Sequence, residues 1–349
     1  MRRSMKLAAV LTAGILTLAA CGGDSDSDAD DNGGGDAPKS DVKVGMAYDV
    51  GGRGDQSFND SAAAGLDQAV EEFGIESQES EAEDGEAETA REERLRTFAD
   101  AGYNPVIAVG FAYAASVGKV AAEYPEVNFA IIDDESLADV PNVASLVFSE
   151  EQGSFLVGAA AALKSKSGTV GFIGGVETPL IQKFEAGYKA GAEAAKPGIK
   201  VESTYLTQIP DFSGFADPAK GKTAAQGMFD NGADVVYHAA GGSGGGVFEA
   251  ASEAKAMAIG VDSDQYNTAD PSVQDVIITS MLKNVNVAVH EYLTGVVDGD
   301  VPAGVTRYDL EADGVGYSTS GGQVDDIAEQ LDGYKQQIID GEIEVPTTP

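Results

Sequence analysis

Val42-Lys43-Val44-Gly45-Met46-Ala47-Tyr48, followed by Asp49-Val50-Gly51-Gly52-Arg53-Gly54-Asp55-Gln56-Ser57-Phe58-Asn59-Asp60, decides the reading of the fold. The first seven residues alternate as a strand should, with β-branched and apolar positions bounded by Asp41 and Asp49. Beyond the loop, Ala62, Leu66, Ala69, Val70 and Phe73 recur at helical spacing. The glycines between allow a sharp turn and expose amides at a strand's carboxyl end, where open α/β sheets place ligands. A strand, loop and helix is therefore the first module, and its loop offers an aromatic ring, an amide and several carboxylates. Phosphate is a poor fit as its ligand: the stretch has neither Walker A nor Gly-x-Gly-x-x-Gly spacing, and its acids repel an anion.

Working outward toward Met1, Arg2, Arg3 and Lys6 precede an apolar segment from Leu7 to Ala20 that is short for a membrane span, the pattern of a secretory signal over residues 1–20. It ends in Leu18-Ala19-Ala20-Cys21-Gly22, a lipobox, which marks Cys21 for diacylation on sulfur. Cys21 is the only cysteine of 349 residues, so no disulfide can form within the chain and stability must come from apolar cores. Residues 21–40 then read as the lipidated cysteine and a Gly, Asp and Ser tether that lacks the apolar surface to fold. Two or three acyl chains hold a protein stably on a membrane. The expected location is thus the extracytoplasmic face of the cell membrane.

The formal charge is −36, and losing Arg2, Arg3 and Lys6 leaves 19 basic against 58 acidic residues, or −39. Such a surface repels nucleic acid and free nucleotides and suits neutral or cationic ligands. From Asp41 onward strands alternate with helices, the pattern of parallel sheets covered on both faces. Val127 to Asp134 reads as a buried strand ending in two carboxylates, and Glu151 to Leu163 as an Ala- and Gly-rich helix able to pack closely. A second unit of the same kind begins at Gly168. Within it, Val235 to Ala239 leads into the glycine-rich run 241–246, a loop expected to let backbone approach a ligand. Strands ending at Asp262 and at Lys283 follow, then a helix from Asn284 to Val297, a short strand and a last helix.

The lipobox, the run from Asp49 to Asp60, Phe215-Ala216-Asp217-Pro218-Ala219-Lys220-Gly221, the Gly241 to Val247 loop, Gly260-Val261-Asp262-Ser263-Asp264-Gln265 and Thr279-Ser280-Met281-Leu282-Lys283-Asn284 together resemble the BMP family of substrate-binding lipoproteins. The resemblance implies an α/β, type I periplasmic-binding-protein fold, with two doubly wound parallel-sheet lobes joined by three hinge crossovers. It places lobe 1 in residues 41–148 plus 282–305, and lobe 2 in 149–281 plus 306–345. It implies a purine nucleoside clamped between Phe58 of the first lobe and Phe215 of the second, with Phe212 as the alternative second ring. Asn59 and either Asp133 or Asp134 would read the polar edge of the base. Asp262 and Lys283 would hold the ribose hydroxyls, helped by backbone at Gly242, and Asp49 would line the first-lobe side. The implied partners are an ABC permease with its transmembrane subunits and cytoplasmic ATPase, and the membrane reached through the lipid anchor. The protein would be a monomer, would take no cofactor or metal, and would bind no nucleic acid.

Other classes compete. A sugar or sugar-derived signal fits the same fold, although the chain has no Trp to serve as a sugar platform. A nucleoside hydrolase could use cleft carboxylates for acid and base work, but His238 and His290, the only histidines, fall in a strand end and a helix. Arg53-Gly54-Asp55 suggests an adhesin, yet the tripeptide lies in the expected ligand loop. A cytoplasmic repressor conflicts with the signal and with the lack of a basic DNA-binding head.

Overall fold

The computed structural model describes residues 40–349. The signal, Cys21 and most of the tether lie outside them.

The chain first lays down β1 (Lys43–Tyr48), α1 (Phe58–Phe73), β2 (Glu76–Glu81), α2 (Glu88–Asp100), β3 (Val106–Ala108), α3 (Ala114–Glu123), β4 (Phe129–Ile132) and β5 (Val143–Phe148). It continues through α4 (Glu150–Lys164), β6 (Thr169–Glu177), α5 (Pro179–Ala195), β7 (Lys200–Gln208), α6 (Pro218–Asp230), β8 (Val235–Ala239), α7 (Gly244–Ala254) and β9 (Met257–Asp262). The last third holds α8 (Gln265–Thr268), β10 (Ile277–Lys283), α9 (Val285–Asp298), β11 (Gly304–Tyr308), β12 (Val315–Tyr317) and α10 (Ala328–Ile339).

Two six-stranded sheets result, ordered β11-β5-β4-β3-β1-β2 and β12-β10-β9-β8-β6-β7. They correspond position for position. The first is parallel throughout, and in the second only β12 runs antiparallel, against β10. Central strands such as β4 and β5 are buried along their whole length, as strands covered on both faces must be. The edge strands are less buried, and β2, Glu-Ser-Gln-Glu-Ser-Glu, has polar residues on both faces and carries no apolar alternation.

The chain crosses between lobes three times: at Ser149, at Asn284 and over residues 309–314. Hydrogen bonds from Ser149 N to Tyr308 O (3.0 Å) and from Asn284 N to Gly314 O (2.9 Å) tie these crossovers together. The second and third fall later than the boundaries 281/282 and 305/306. Strand pairing is the reason, since Lys283 still pairs with Val315 and Tyr308 still pairs with Phe148. Helices that follow a crossover pack tightly. A methyl on Gly158 of α4 would lie 2.1 Å from the Tyr188 carbonyl oxygen of α5, and one on Gly65 of α1 would lie 2.4 Å from that of Asn286 in α9.

The glycine-rich run differs from its expected role as a loop. Its first residues form a 3₁₀ turn, Gly241–Ser243, and α7 already begins at Gly244. A methyl at Gly244 would strike the His238 ring at 1.9 Å, and one at Gly246 the Pro218 carbonyl oxygen at 1.8 Å. Those glycines serve helix packing rather than a ligand.

Candidate functional site

The loop after β1 is folded on its own acids. Asp55 accepts the backbone N–H groups of Ser57 (2.9 Å), Asn59 (2.9 Å) and Asp60 (3.1 Å) at the start of α1, and Asp60 accepts those of Gly54 and Gln56. Carboxylates suit this end of a helix, where amides lack partners. Arg53 is held by Asp67 and Glu79, so the Arg-Gly-Asp tripeptide has its arginine in ion pairs and its aspartate buried in a cap. Asn59 is also engaged: its Oδ1 accepts from Asp49 N (3.2 Å) and its Nδ2 donates to Asp55 (3.1 Å). One amide hydrogen of Asn59 remains for another partner.

Between the two sheets lies a narrow cleft of about 60 Å³. Lobe 1 lines it with Asp49, Asp55, Phe58, Asn59, Phe111 and Asp133, and lobe 2 with Leu180, Phe184, Phe215, Asp262 and Lys283. The carboxyl ends of β4 and β9 occupy corresponding places in the two sheets, and each delivers an aspartate in the left-handed backbone region. Asp133 has φ 68° and Asp262 φ 62°. Aspartate tolerates this conformation better than most residues, and the turn aims each side chain into the cleft.

Lys283, 1% exposed, stands between them. Its Nζ donates to Asp133 Oδ2 at 2.5 Å, lies 3.6 Å from Glu150 Oε1, and sits 4.9 Å from the Phe58 ring centroid and 5.1 Å from that of Phe148. Burial pushes the ammonium's pKa down, but Asp133, Glu150 and Asp262 more than offset it, and the pKa stands above its ordinary value. Lys283 is therefore charged. Burial, then repulsion from Glu150, pushes Asp133 up to about 7 against the pull of Lys283. Burial likewise raises Asp262, and it takes Asp49 and Asp55 to about 6. Asp133 Oδ1 is buried and has no hydrogen-bond partner. A site that holds an unpartnered acceptor, a caged ammonium and apolar walls is built for a polar, uncharged ligand with hydroxyl or amine donors.

The aromatic residues meet across the lobes. Phe111 approaches Phe215 at 6.5 Å and Phe212 at 6.0 Å between centroids. Of these two lobe-2 rings, Phe215 lines the cleft, whereas Phe212 lies under the Arg91 guanidinium at 5.4 Å.

Seven of the sequence-derived site residues come together here: Asp49, Phe58, Asn59, Asp133, Phe215, Asp262 and Lys283. Asp134 does not join them. β4 ends at Ile132, Asp133 turns left-handed into the cleft, and Asp134 faces an outer groove where it accepts from Ser136 N (2.9 Å) and Oγ (2.5 Å). Gly242 lies beside the cleft while Gly241 lines it; a methyl on Gly242 would rest 3.8 Å from Asp55 across the lobes. Sequence reasoning missed Phe111, Leu180, Phe184 and Glu150. The first three resemble core positions, but Phe111 lies just past the carboxyl end of β3, after Val109 and Gly110, and a strand's carboxyl end is the signal that flagged the first loop. Neither histidine enters the cleft. His238 is buried against Phe248 and pushed down to about 4 by burial, and His290 pairs with Glu72 on the surface of α9.

Two doubly wound lobes, three crossovers and a cleft lined from both sides define the type I periplasmic-binding-protein fold. Comparison with known proteins narrows the class. Residues 42–349 match the family described as ABC transporter substrate-binding protein PnrA-like (Bmp), and the chain belongs to it. It is 34% identical over 366 residues to the CD4+ T-cell-stimulating antigen of Listeria innocua, covering 99% of this chain and 98% of that protein. It is 32% identical over 372 residues to the ABC transporter nucleoside-binding protein BmpA of Lactococcus lactis, covering 99% of each. Among solved structures, an ABC transporter solute-binding protein from Aeropyrum pernix K1 superposes with a TM-score of 0.77 at 30% identity, over 88% of this chain and 93% of that one. The chain is thus a substrate-binding protein of an ABC transporter and not an enzyme.

Proposed function

We propose that the cleft captures a nucleoside, with a purine preferred, and hands it to the permease of an ABC importer. The observation that carries this reading is the buried Lys283, bracketed by Asp133 and Asp262 from opposite lobes, beneath phenyl rings that also come from both lobes. Phe58 and Phe215 stack on the base, which is worth about 1–3 kcal/mol per base and makes closure depend on ligand. Asp133 and the spare amide hydrogen of Asn59 read the base edge, while Asp262 and Lys283 hold the ribose hydroxyls. The acid excess disfavours nucleotides, whose phosphates would meet several buried carboxylates around one ammonium. The nucleoside-binding relative from Lactococcus lactis supports the ligand class.

The test is isothermal titration of residues 38–349, which include every described residue. The protein is unfolded and refolded first to strip carried ligand. Adenosine, guanosine and inosine bind tightly, uridine and cytidine more weakly, and ribose not at all. Silence from every nucleoside overturns the ligand, and a response to ribose alone turns the reading toward sugars.

The body is held at the extracytoplasmic membrane face by acyl chains on Cys21. Among the described residues no helix is long and apolar enough to cross a membrane. Metabolic labelling with an alkynyl palmitate marks the parent and not Cys21→Ser; equal labelling of both overturns the anchor.

A further inference from the structure

Ser57 stands at the N-cap of α1 but makes no capping bond, because Asp55 already accepts the first amides of that helix. An N-cap serine ordinarily spends its oxygen on those amides. Here the hydroxyl reaches into the other lobe, donating to Asp262 Oδ2 at 2.6 Å with the Val261 carbonyl oxygen at 3.3 Å. Two more bonds cross beside it. Ser263 Oγ donates to Ser57 O and Gln265 Nε2 donates to Gln56 O, each at 3.0 Å. Gln265 is 2% exposed, and its Oε1 accepts from Val261 N at 2.8 Å, which fixes the amide so that its N–H₂ faces lobe 1. Gln56 is held at φ 55°, a conformation costly for its residue type.

We infer that Gln56-Ser57 and Ser263-Gln265 form a latch between the lobes, in which Gln265 sets how long the closed cleft persists and Ser57 positions the Asp262 carboxylate only when the lobes are together. Ser57, Ser263 and Gln265 do not line the cleft, so the latch acts through the lobes and not through ligand contact. Every bond in it is exchanged for water on opening, and each biases the closed form by roughly two- to tenfold. This goes beyond the ligand assignment and rests on it for one readout alone.

Gln265→Glu keeps the acceptor for Val261 N and the side-chain shape, but puts an oxygen against the Gln56 carbonyl. Dissociation of tritiated guanosine from residues 38–349 is expected to speed up about tenfold in this variant, and two- to fivefold in Ser263→Ala, a partly exposed position less prone to misfold. Rates within a factor of two of the parent in both overturn the latch. If the parent binds no nucleoside, the ligand assignment has failed and the latch is read separately. Residues 38–349 contain no cysteine, so nitroxides at Asp84→Cys and Thr223→Cys, one on each lobe, report the interlobe distance. A distribution widened by Gln265→Glu supports the latch, and an unchanged one overturns it.

Discussion

Asp133 and Asp262 end corresponding strands of corresponding sheets with nearly the same backbone turn, φ 68° and 62°, yet they are held differently. Each is tied by the opposite lobe. Asp133 of lobe 1 receives a buried ammonium from Lys283 at the end of β10, while Asp262 of lobe 2 receives a neutral hydroxyl from Ser57. Asp133 is thus bound into a buried charge cluster. Asp262 is bound by a neutral donor. One fold repeat has supplied an ion-paired carboxylate and a hydroxyl-bound one from the same position.

Removing the ammonium should have the largest effect. Lys283→Met leaves Asp133, Glu150 and Asp262 together, with Lys183 3.4 Å from Glu150 as the nearest remaining cation. Breaking a buried pair from one side costs about 3–5 kcal/mol. Urea unfolding at pH 7.5 should register that loss, and nucleoside affinity should fall by more than about a hundredfold. The deficit should shrink toward pH 5, where Asp133, raised to about 7, binds a proton, and a deficit independent of pH would mean that packing, not charge, makes Lys283 indispensable.

The asparagine variants test the comparison itself, since Asn accepts the left-handed turn. Asp133→Asn strips the direct partner from Lys283 and is expected to cost about 1–3 kcal/mol of stability. Asp262→Asn can still accept from Ser57, so its stability should stay within about 1 kcal/mol while affinity drops. The pH dependence adds a second test. Asp133, raised to about 7, and Asp49 and Asp55, raised to about 6, hold protons more tightly when folded than when unfolded. Their contribution is full below the ordinary carboxylate value of 3.8 and is lost as pH rises through the folded values. The parent minus Asp133→Asn difference in unfolding free energy should therefore decline from pH 4 to 7; a rise would mean that Lys283 dominates the Asp133 carboxyl.

Next in size are the rings. Phe215→Ala should weaken purine nucleoside binding by about 1–3 kcal/mol, measured by titration. Phe212→Ala, whose ring packs on Phe111 and under Arg91, should cost less than threefold. The reverse order would make Phe212 the second stacking ring.

The sequence was informative where a residue's environment follows from its strand or helix. Alternating apolar strands, helical spacing and acids at strand ends placed both sheets and most of the cleft. Legibility failed where tertiary contact decides. β2 has no apolar face because it lies at an edge. Phe111, Leu180 and Phe184 are apolar in sequence and become cleft walls only when two lobes meet. Glycines 244 and 246 look like a ligand loop but are small because His238 and Pro218 crowd them. Ser57 carries no signal in the sequence, and only the prior claim of Asp55 on the helix amides frees its hydroxyl to bond across the lobes.

Asp134 is the smallest test and the cleanest check on strand-end geometry. A strict two-residue alternation continued past Ile132 cannot decide between it and Asp133, because alternation holds only while the backbone is extended. At Asp133 the backbone turns left-handed, and the next side chain swings outward to hold the Ser136 turn. Asp134→Ala should therefore leave nucleoside affinity within about twofold and cost about 1 kcal/mol of stability through the lost turn bonds. A tenfold loss of affinity in titration would instead mean that the outer groove, which Asp134 shares with Asp133 and Glu150, contributes to the same bound ligand.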